Sequence, residues 1–394
     1  MKLYSQQGHS DGDKSRNGLE EGTIQGVVFS PRDLLPDSLR SRADELSRLS
    51  PSADLLLDPQ FYVSLYGDQP NARLGKLPEW PFFEVCRRSQ LEASREVDRV
   101  LRAVLTVQQS LPLTALVAPG VFIPQSFNSI EAVIAKNFVR QARSVYAAMR
   151  DSRPLLATLA ISRDALLQRH EFEAFLNDIT LLDAPPDGFY LVVGGRSSEA
   201  RGDLYHADVI AGWMMLNQTL TVNGYTVVNG YSDFLTPFLG ASGGHAGCTG
   251  WWTNLRLFSL DRFVPEAEGG RLPIVRYASK LLLNRVRFDE KEALSPFLPG
   301  VVNGLPHDAD YNPEPARSSE VLQAWEAIAS LTGELVADGE GTEALERCEA
   351  AVRRAAESYA QIATIGLPLD RKSDDTHVEP LQDGLRRFRK WAGL

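Results

Sequence analysis

Along the chain, short and nearly continuous apolar runs alternate with longer stretches in which apolar positions recur at helical spacing. Eight of the runs end in small, polar or Gly-rich turns, and GVVFSPRD, LLLDPQFY and GFYLVVGG are the clearest. Apolar runs this short suit strands buried on both faces, and the helical stretches between them supply the crossovers that parallel strands require. Eight such units predict an α/β fold, a closed (β/α)8 TIM barrel, which places its chemistry on the loops at the C-terminal ends of its strands.

The predicted strands are Lys2 to Gln7, Gly26 to Phe29, Asp54 to Leu57, Leu113 to Ala118, Leu155 to Ile161, Phe189 to Val193, Thr226 to Val228 and the small-residue segment His245 to Thr249. Helices are predicted over Asp37 to Leu49, about Phe82 to Gln109, Asp164 to Leu182 and Asp203 to Leu220. A strong amphipathic helix is also predicted after Asn128, which is placed to cap it, with Glu131 where a capping box needs it. The Gly- and Pro-rich excursion from Tyr62 to Pro81 is too long for an ordinary connection and reads as a lid or binding loop.

After Arg262 the pattern changes. Residues 1–262 are expected to form the barrel and 263–394 a helical C-terminal extension that completes or caps it, with helices at Ser318 to Ala337, Thr342 to Ile365 and Glu379 to Trp391. In between, RYASKLLLNRVRF carries the one notable basic cluster, Arg276, Lys280, Arg285 and Arg287, interleaved with aromatics. It reads as a phosphate or nucleic-acid contact, or as a solvated helix face.

Composition narrows the class. With 43% apolar and 23% charged residues, and no apolar stretch near the ~20 residues that span a bilayer, the chain reads as a globular protein without a membrane partner. Its start, MKLYSQQGHSDGDK, lacks the features of a secretory signal, so the cytoplasm is the expected location. Three dispersed cysteines, Cys86, Cys248 and Cys348, form no CxxC pair and predict neither disulfides nor a structural zinc. A net charge of −10 disfavours nonspecific attraction to polyanions, although Arg32, Arg163, Arg196 and Arg276 leave room for a local basic site.

The barrel reading gathers His9, Asp33, Asp58, Arg163, Arg196, Asn229, Tyr231 and Trp251 at or just after strand ends. Asp58 is the leading candidate for an acid, base or nucleophile, since a carboxylate directly after an apolar strand projects into the mouth. The competing reading is that Asp58, followed by Pro59, turns the chain. His9 and His245 sit among small polar residues, as proton shuttles or as surface histidines, and neither has a partner at metal-ligand spacing. The turn Gly194, Gly195, Arg196 reads as an anion-binding loop or as a tight turn. Trp251, beside a glycine run, reads as a stacking platform for a planar ring. No HExxH, GxSxG or Walker pattern is present, and no metal or cofactor is expected.

Several of these pieces resemble the tRNA-guanine transglycosylase barrel. LLLDPQFYVSLYG is similar to that family's D-S-G-G-F-Q-V-F-S-L motif, with Asp58 at its aspartate, and DGFYLVVGGRSSEA to its G-Y-A-V-G-G-L-x-V-G-E stretch, with Gly194 and Gly195 at the base-recognition glycines. The resemblance spans roughly residues 20 to 260 and implies action on a nucleobase, nucleoside or nucleic-acid-linked base. The family's nucleophilic aspartate, in F-D-C-V-x-P-T-R, has its nearest counterpart in AGCTGWWTNLR, where Gly247 stands in place of the carboxylate, and the family's cysteine and histidine zinc set has no counterpart.

Two functions are therefore weighed. One is a barrel enzyme for a nucleobase or another planar anionic compound, with Asp58 reactive and Gly194, Gly195, Arg196, Arg163, Tyr231, Trp251 and His9 around the substrate. The other is a non-catalytic barrel subunit of a protein assembly, one that works on nucleic acid for example.

Overall fold

The computed structural model describes residues 1–68, 72–195, 204–264, 274–309, 315–336 and 341–394. In chain order the parallel strands are β1 (Lys2–Gln6), β2 (Gly26–Phe29), β3 (Asp54–Leu57), β4 (Leu116–Ala118), the two-residue β5 (Phe122–Ile123), β6 (Leu155–Ser162), β7 (Gly188–Gly195), β8 (Thr226–Gly230), β9 (Ala246–Thr249) and the two-residue β10 (Phe258–Ser259). Around the barrel they run β3-β2-β1-β9-β8-β7-β6-β4, with β5 on β6 and β10 on β7. The remaining seam is bridged where the Thr114 N–H donates to Leu55 O (2.9 Å) and the Leu55 N–H to Thr114 Oγ1 (2.9 Å). The chain is thus a (β/α)8 barrel with C-terminal helices.

Strand pleating sorts side chains between the barrel axis and the helical layer. Tyr4, Asp54, Leu56, Leu156, Thr226 and Val228 line one cavity at the N-terminal ends of the strands. Asn229 falls on the opposite face. Its Oδ1 accepts from Trp213 Nε1 (2.8 Å) and Asn217 Nδ2 (3.0 Å) on helix Ala207–Val222, so it belongs to the packing of that helix and not to the mouth.

Boundaries move where local chemistry decides them. Helix Ile130–Ala147 is capped by Ser129, whose Oγ accepts from the Ala132 N–H (3.2 Å), whereas Asn128 uses its own N–H on Ser126 Oγ (3.0 Å). The helix expected from Phe82 begins at Ser94, because Phe82 and Phe83 are consumed in packing under the long loop. That loop holds buried Leu77 and Trp80, whose indole N–H donates to Pro31 O (2.9 Å) and Leu34 O (3.0 Å).

The segment after the barrel is not purely helical. Strands β11 (Arg276–Ser279) and β12 (Asn284–Arg287) form an antiparallel hairpin, turned by Leu283 at φ +49°. The expected solvated helix face is therefore a hairpin that buries Arg276 and Arg285. Arg285 makes two bonds to Asp233 (2.5 and 2.8 Å), and Arg276 pairs with Asp370. Helices Arg317–Val336, Thr342–Ile365 and Val378–Ala392 follow. The first seats Trp325 against Gly18 and donates its indole N–H to Thr249 O (3.2 Å). The last approaches helix Ala207–Val222 so closely at Gly384 that a Cβ there would lie 2.8 Å from Ile210. Among the described residues, no helix is long and apolar enough to cross a membrane.

Candidate functional site

Asp58 lies one residue beyond β3, on the same face as Asp54 and Leu56, and its side chain is fully buried. Its Oδ1 accepts from the Gln60 N–H (3.0 Å), closing a turn whose next residue, Gln60, takes a left-handed φ of +52°. Its Oδ2 accepts from Tyr62 Oη (2.8 Å), shares Tyr190 Oη with Gln6 Oε1 (both 3.3 Å), and stands at the outer limit of bonding distance from Tyr231 Oη (3.5 Å). Both readings of Asp58 thus describe one residue, since Oδ1 shapes the turn while Oδ2 faces the barrel axis.

Burial pushes the Asp58 carboxyl up to about 6, and the bonds from Tyr62 and the Gln60 N–H, with Arg262 and Tyr190, keep it from rising further. Burial and the neighbouring Asp58 drive the Tyr62 and Tyr190 hydroxyls well above their ordinary range, so both remain protonated donors. Tyr231, held at φ +56° just after β8, accepts from Arg262 Nη1 (3.1 Å). Arg262 Nη2 donates to Asp33 Oδ2 (2.5 Å), and Asp33 also accepts from Ser30 Oγ (2.7 Å) and Arg32 Nη1 (3.2 Å). The arrangement supplies one carboxyl that takes or releases a proton near neutrality, three hydroxyls, from the turn after β3 (Tyr62), from within β7 (Tyr190) and from just after β8 (Tyr231), and a guanidinium fixed by its own carboxylate.

Arg262 reaches the mouth because the chain doubles back after β9. Strand β10 pairs with β7 at Gly194 and Gly195, beyond the Val192–Gly230 pair where β8 leaves that strand. Phe258 is thereby set over the centre, its ring centroid 5.2 Å from Tyr62, 5.2 Å from Tyr231 and 6.1 Å from Phe122. These aromatics are buried. Among the described residues, Gln6 Nε2 and Ser64 Oγ are buried polar atoms without a hydrogen-bond partner.

The structure brings Asp58 and Tyr231 together with Asp33, and distributes the other expected residues elsewhere. Gly194 and Gly195 are not a loop. They close strand β7, paired on β10, and a Cβ at Gly194 would meet the Phe122 and Phe258 rings at 3.0 Å, so the glycine serves aromatic packing. Arg196 lies outside the described residues. Arg163 opens the short helix Arg163–Leu166 after β6. His9 is exposed and contributes its backbone carbonyl, which accepts from Trp251 Nε1 (2.8 Å) and Trp252 Nε1 (3.2 Å). Trp251 is 1% exposed with Lys14 Nζ over its ring at 5.3 Å, a buried strut between two loops and not an open platform. His245 lies at the other end of the barrel, its Nδ1 accepting from the Val227 N–H (3.1 Å). Gly247 has no room for a carboxylate, because its Cβ would come within 2.5 Å of the Thr236 side chain and 2.7 Å of Ser232 Oγ.

The residues that sequence reasoning passed over are Tyr62, Tyr190, Gln6 and Arg262. Tyr62 was within reach, since it stands four residues after Asp58 in the quoted motif. Tyr190 lies 132 residues from Asp58 inside an apolar run, where a tyrosine reads as core.

No family model matches the chain, and no curated protein matches it by sequence. Among solved structures it is similar to ScGas2 in complex with a compound (10% identity, 82% of this chain and 83% of that one, TM-score 0.34). It is also similar to dihydrodipicolinate synthase from Oceanobacillus iheyensis (11% identity, 95% and 100%, TM-score 0.26). Neither of these two is a tRNA-guanine transglycosylase, likeness at this level bears on no activity, and the barrel stands on its own strand order.

Proposed function

We propose that the chain is a tRNA-guanine transglycosylase-like barrel protein whose centre at Asp58 acts on a nucleobase, nucleoside or nucleic-acid-linked base. The observation that carries this reading is the convergence on one buried carboxyl, held at about 6, of hydroxyls from Tyr62, Tyr190 and Tyr231, the last backed by Arg262. A carboxyl poised near neutrality exchanges a proton efficiently with a ring nitrogen. The tyrosine hydroxyls and the Arg262 guanidinium suit charge that develops on a ring oxygen or nitrogen. The flat faces of Tyr62, Tyr231 and Phe258 suit a planar ring once the aromatic side chains part. Asp58 acts as acid or base in this reading, and the family's covalent route through a β9 carboxylate is left out because Gly247 occupies that position.

A second reading is a non-catalytic barrel subunit of a protein assembly, and a specific observation favours it: Asp58 is completely buried beneath Tyr62, Tyr231 and Phe258. Native mass spectrometry of the protein purified from its own host tests the two. A retained nucleobase or nucleoside that is lost in Asp58→Asn supports the first. An empty barrel in stoichiometric complex with other proteins supports the second and overturns the first.

A further inference from the structure

The barrel has a polar opening at its N-terminal end, the face that in barrel proteins ordinarily serves stability. A cavity of about 260 Å³ enters there along the axis, walled by Leu56, Leu156 and Val228 and rimmed by Lys2, Asp54 and Thr226. It is just below the ~300–1,000 Å³ of small-molecule sites, so it suits a compact ligand. Asp54 and Asp58 share one face of β3 four residues apart, roughly 13 Å at ~3.3 Å per residue, so the two ends are separate sites.

The rim carries one charge of each sign. Lys2 Nζ and Tyr4 Oη both donate to Asp54 Oδ2 (each 2.6 Å), and all three residues line the cavity. The Lys2 and Asp54 side chains are 52% and 29% exposed, so their pair is a weak one that a ligand can enter at little cost. A purely anionic or purely cationic head would gain on one of these groups and lose on the other. A head that carries both charges is matched to both, and the Leu56, Leu156 and Val228 walls ask for an apolar body below it.

We propose that this axial shaft is a binding site for a small zwitterion with an apolar body, of the class of free hydrophobic amino acids. The ammonium faces Asp54, the carboxylate faces Lys2, and the side chain enters the shaft.

Isothermal titration of the full chain with L-leucine and L-phenylalanine tests this, alongside 2-phenylethylamine and 3-phenylpropanoate, each of which lacks one charge. The expected result is saturable one-to-one binding of at least one amino acid, with about tenfold weaker binding of both single-charge analogues. Thr226→Trp, at an exposed rim position that leaves the core intact, should abolish it, and Asp54→Asn should weaken it. Asp58→Asn should leave it unchanged, which keeps its outcome apart from that of the Asp58 centre. Absence of saturable binding by either amino acid, equal binding of the analogues, or binding unaltered in Thr226→Trp would overturn the proposal.

Discussion

The Tyr62 hydroxyl donates to Asp58 Oδ2 across 2.8 Å, and with Tyr190 it is part of what keeps a fully buried carboxyl from becoming neutral altogether. Removing that donor should move the carboxyl further up. In Tyr62→Phe the Asp58 carboxyl is expected to titrate above about 6, and in Tyr62→Phe with Tyr190→Phe higher still, read from its carboxyl carbon resonance against pH. An unchanged titration in the double variant would show that the hydroxyls are bystanders.

Asp58 also ties stability to pH. Its carboxyl is raised from 3.8 to about 6 by folding, so between those values the native state holds more protons than the unfolded chain, and stability falls as pH rises. At ~1.4 kcal/mol per unit the loss is about 3 kcal/mol, complete once pH passes the folded value. Asp58→Asn should flatten this segment, becoming relatively more stable than the parent at pH 8 than at pH 4. Urea midpoints at the two pH values decide it.

The Asp233–Arg285 pair joins the end of β8 to the hairpin, with Thr249 Oγ1 donating to Asp233 Oδ1 (2.7 Å). Burial alone would raise the Asp233 carboxyl, but Arg285 and Thr249 bring it below its ordinary range. Asp233→Ala leaves a buried guanidinium without its carboxylate and should cost ~3–5 kcal/mol. Asp233→Ala combined with Arg285→Met should recover much of that loss in chemical denaturation, since no unpaired charge then remains.

Gly247→Asp places a carboxylate where the tRNA-guanine transglycosylase family keeps one, and packing opposes it. The new Cβ would lie 2.5 Å from Thr236, so the variant should lose at least ~1–3 kcal/mol by overpacking and gain no base exchange. A thermal melt and an assay of labelled guanine incorporation check both halves.

Seven of the eight barrel strands lie within two residues of their expected bounds, because an apolar run buried on both faces leaves its mark at every position. The β4 and β8 bounds differ by three and two residues respectively, with β4 starting at Leu116 and β8 extending to Gly230. The hairpin at Arg276 was illegible for the opposite reason. Its arginines read as solvated, and only carboxylates 52 and 94 residues away explain their burial. At the centre, Asp58 was legible from the strand that ends beside it, as was Tyr231. Arg262 was not, since its place depends on β10 folding back over β7, a pairing of two residues that no local pattern announces.

The Trp251 and Trp252 indoles both donate to the single carbonyl of His9, which joins the loop after the last barrel strand to the loop after the first. Parting of the two loops at that junction breaks both bonds and bares Trp251, the buried ring of the pair. The chain therefore carries its own optical gauge: a red shift and loss of intensity in tryptophan emission from this pair, measured in a Trp80→Phe, Trp213→Phe, Trp325→Phe and Trp391→Phe background, would time the parting of β1 from β9 without any label.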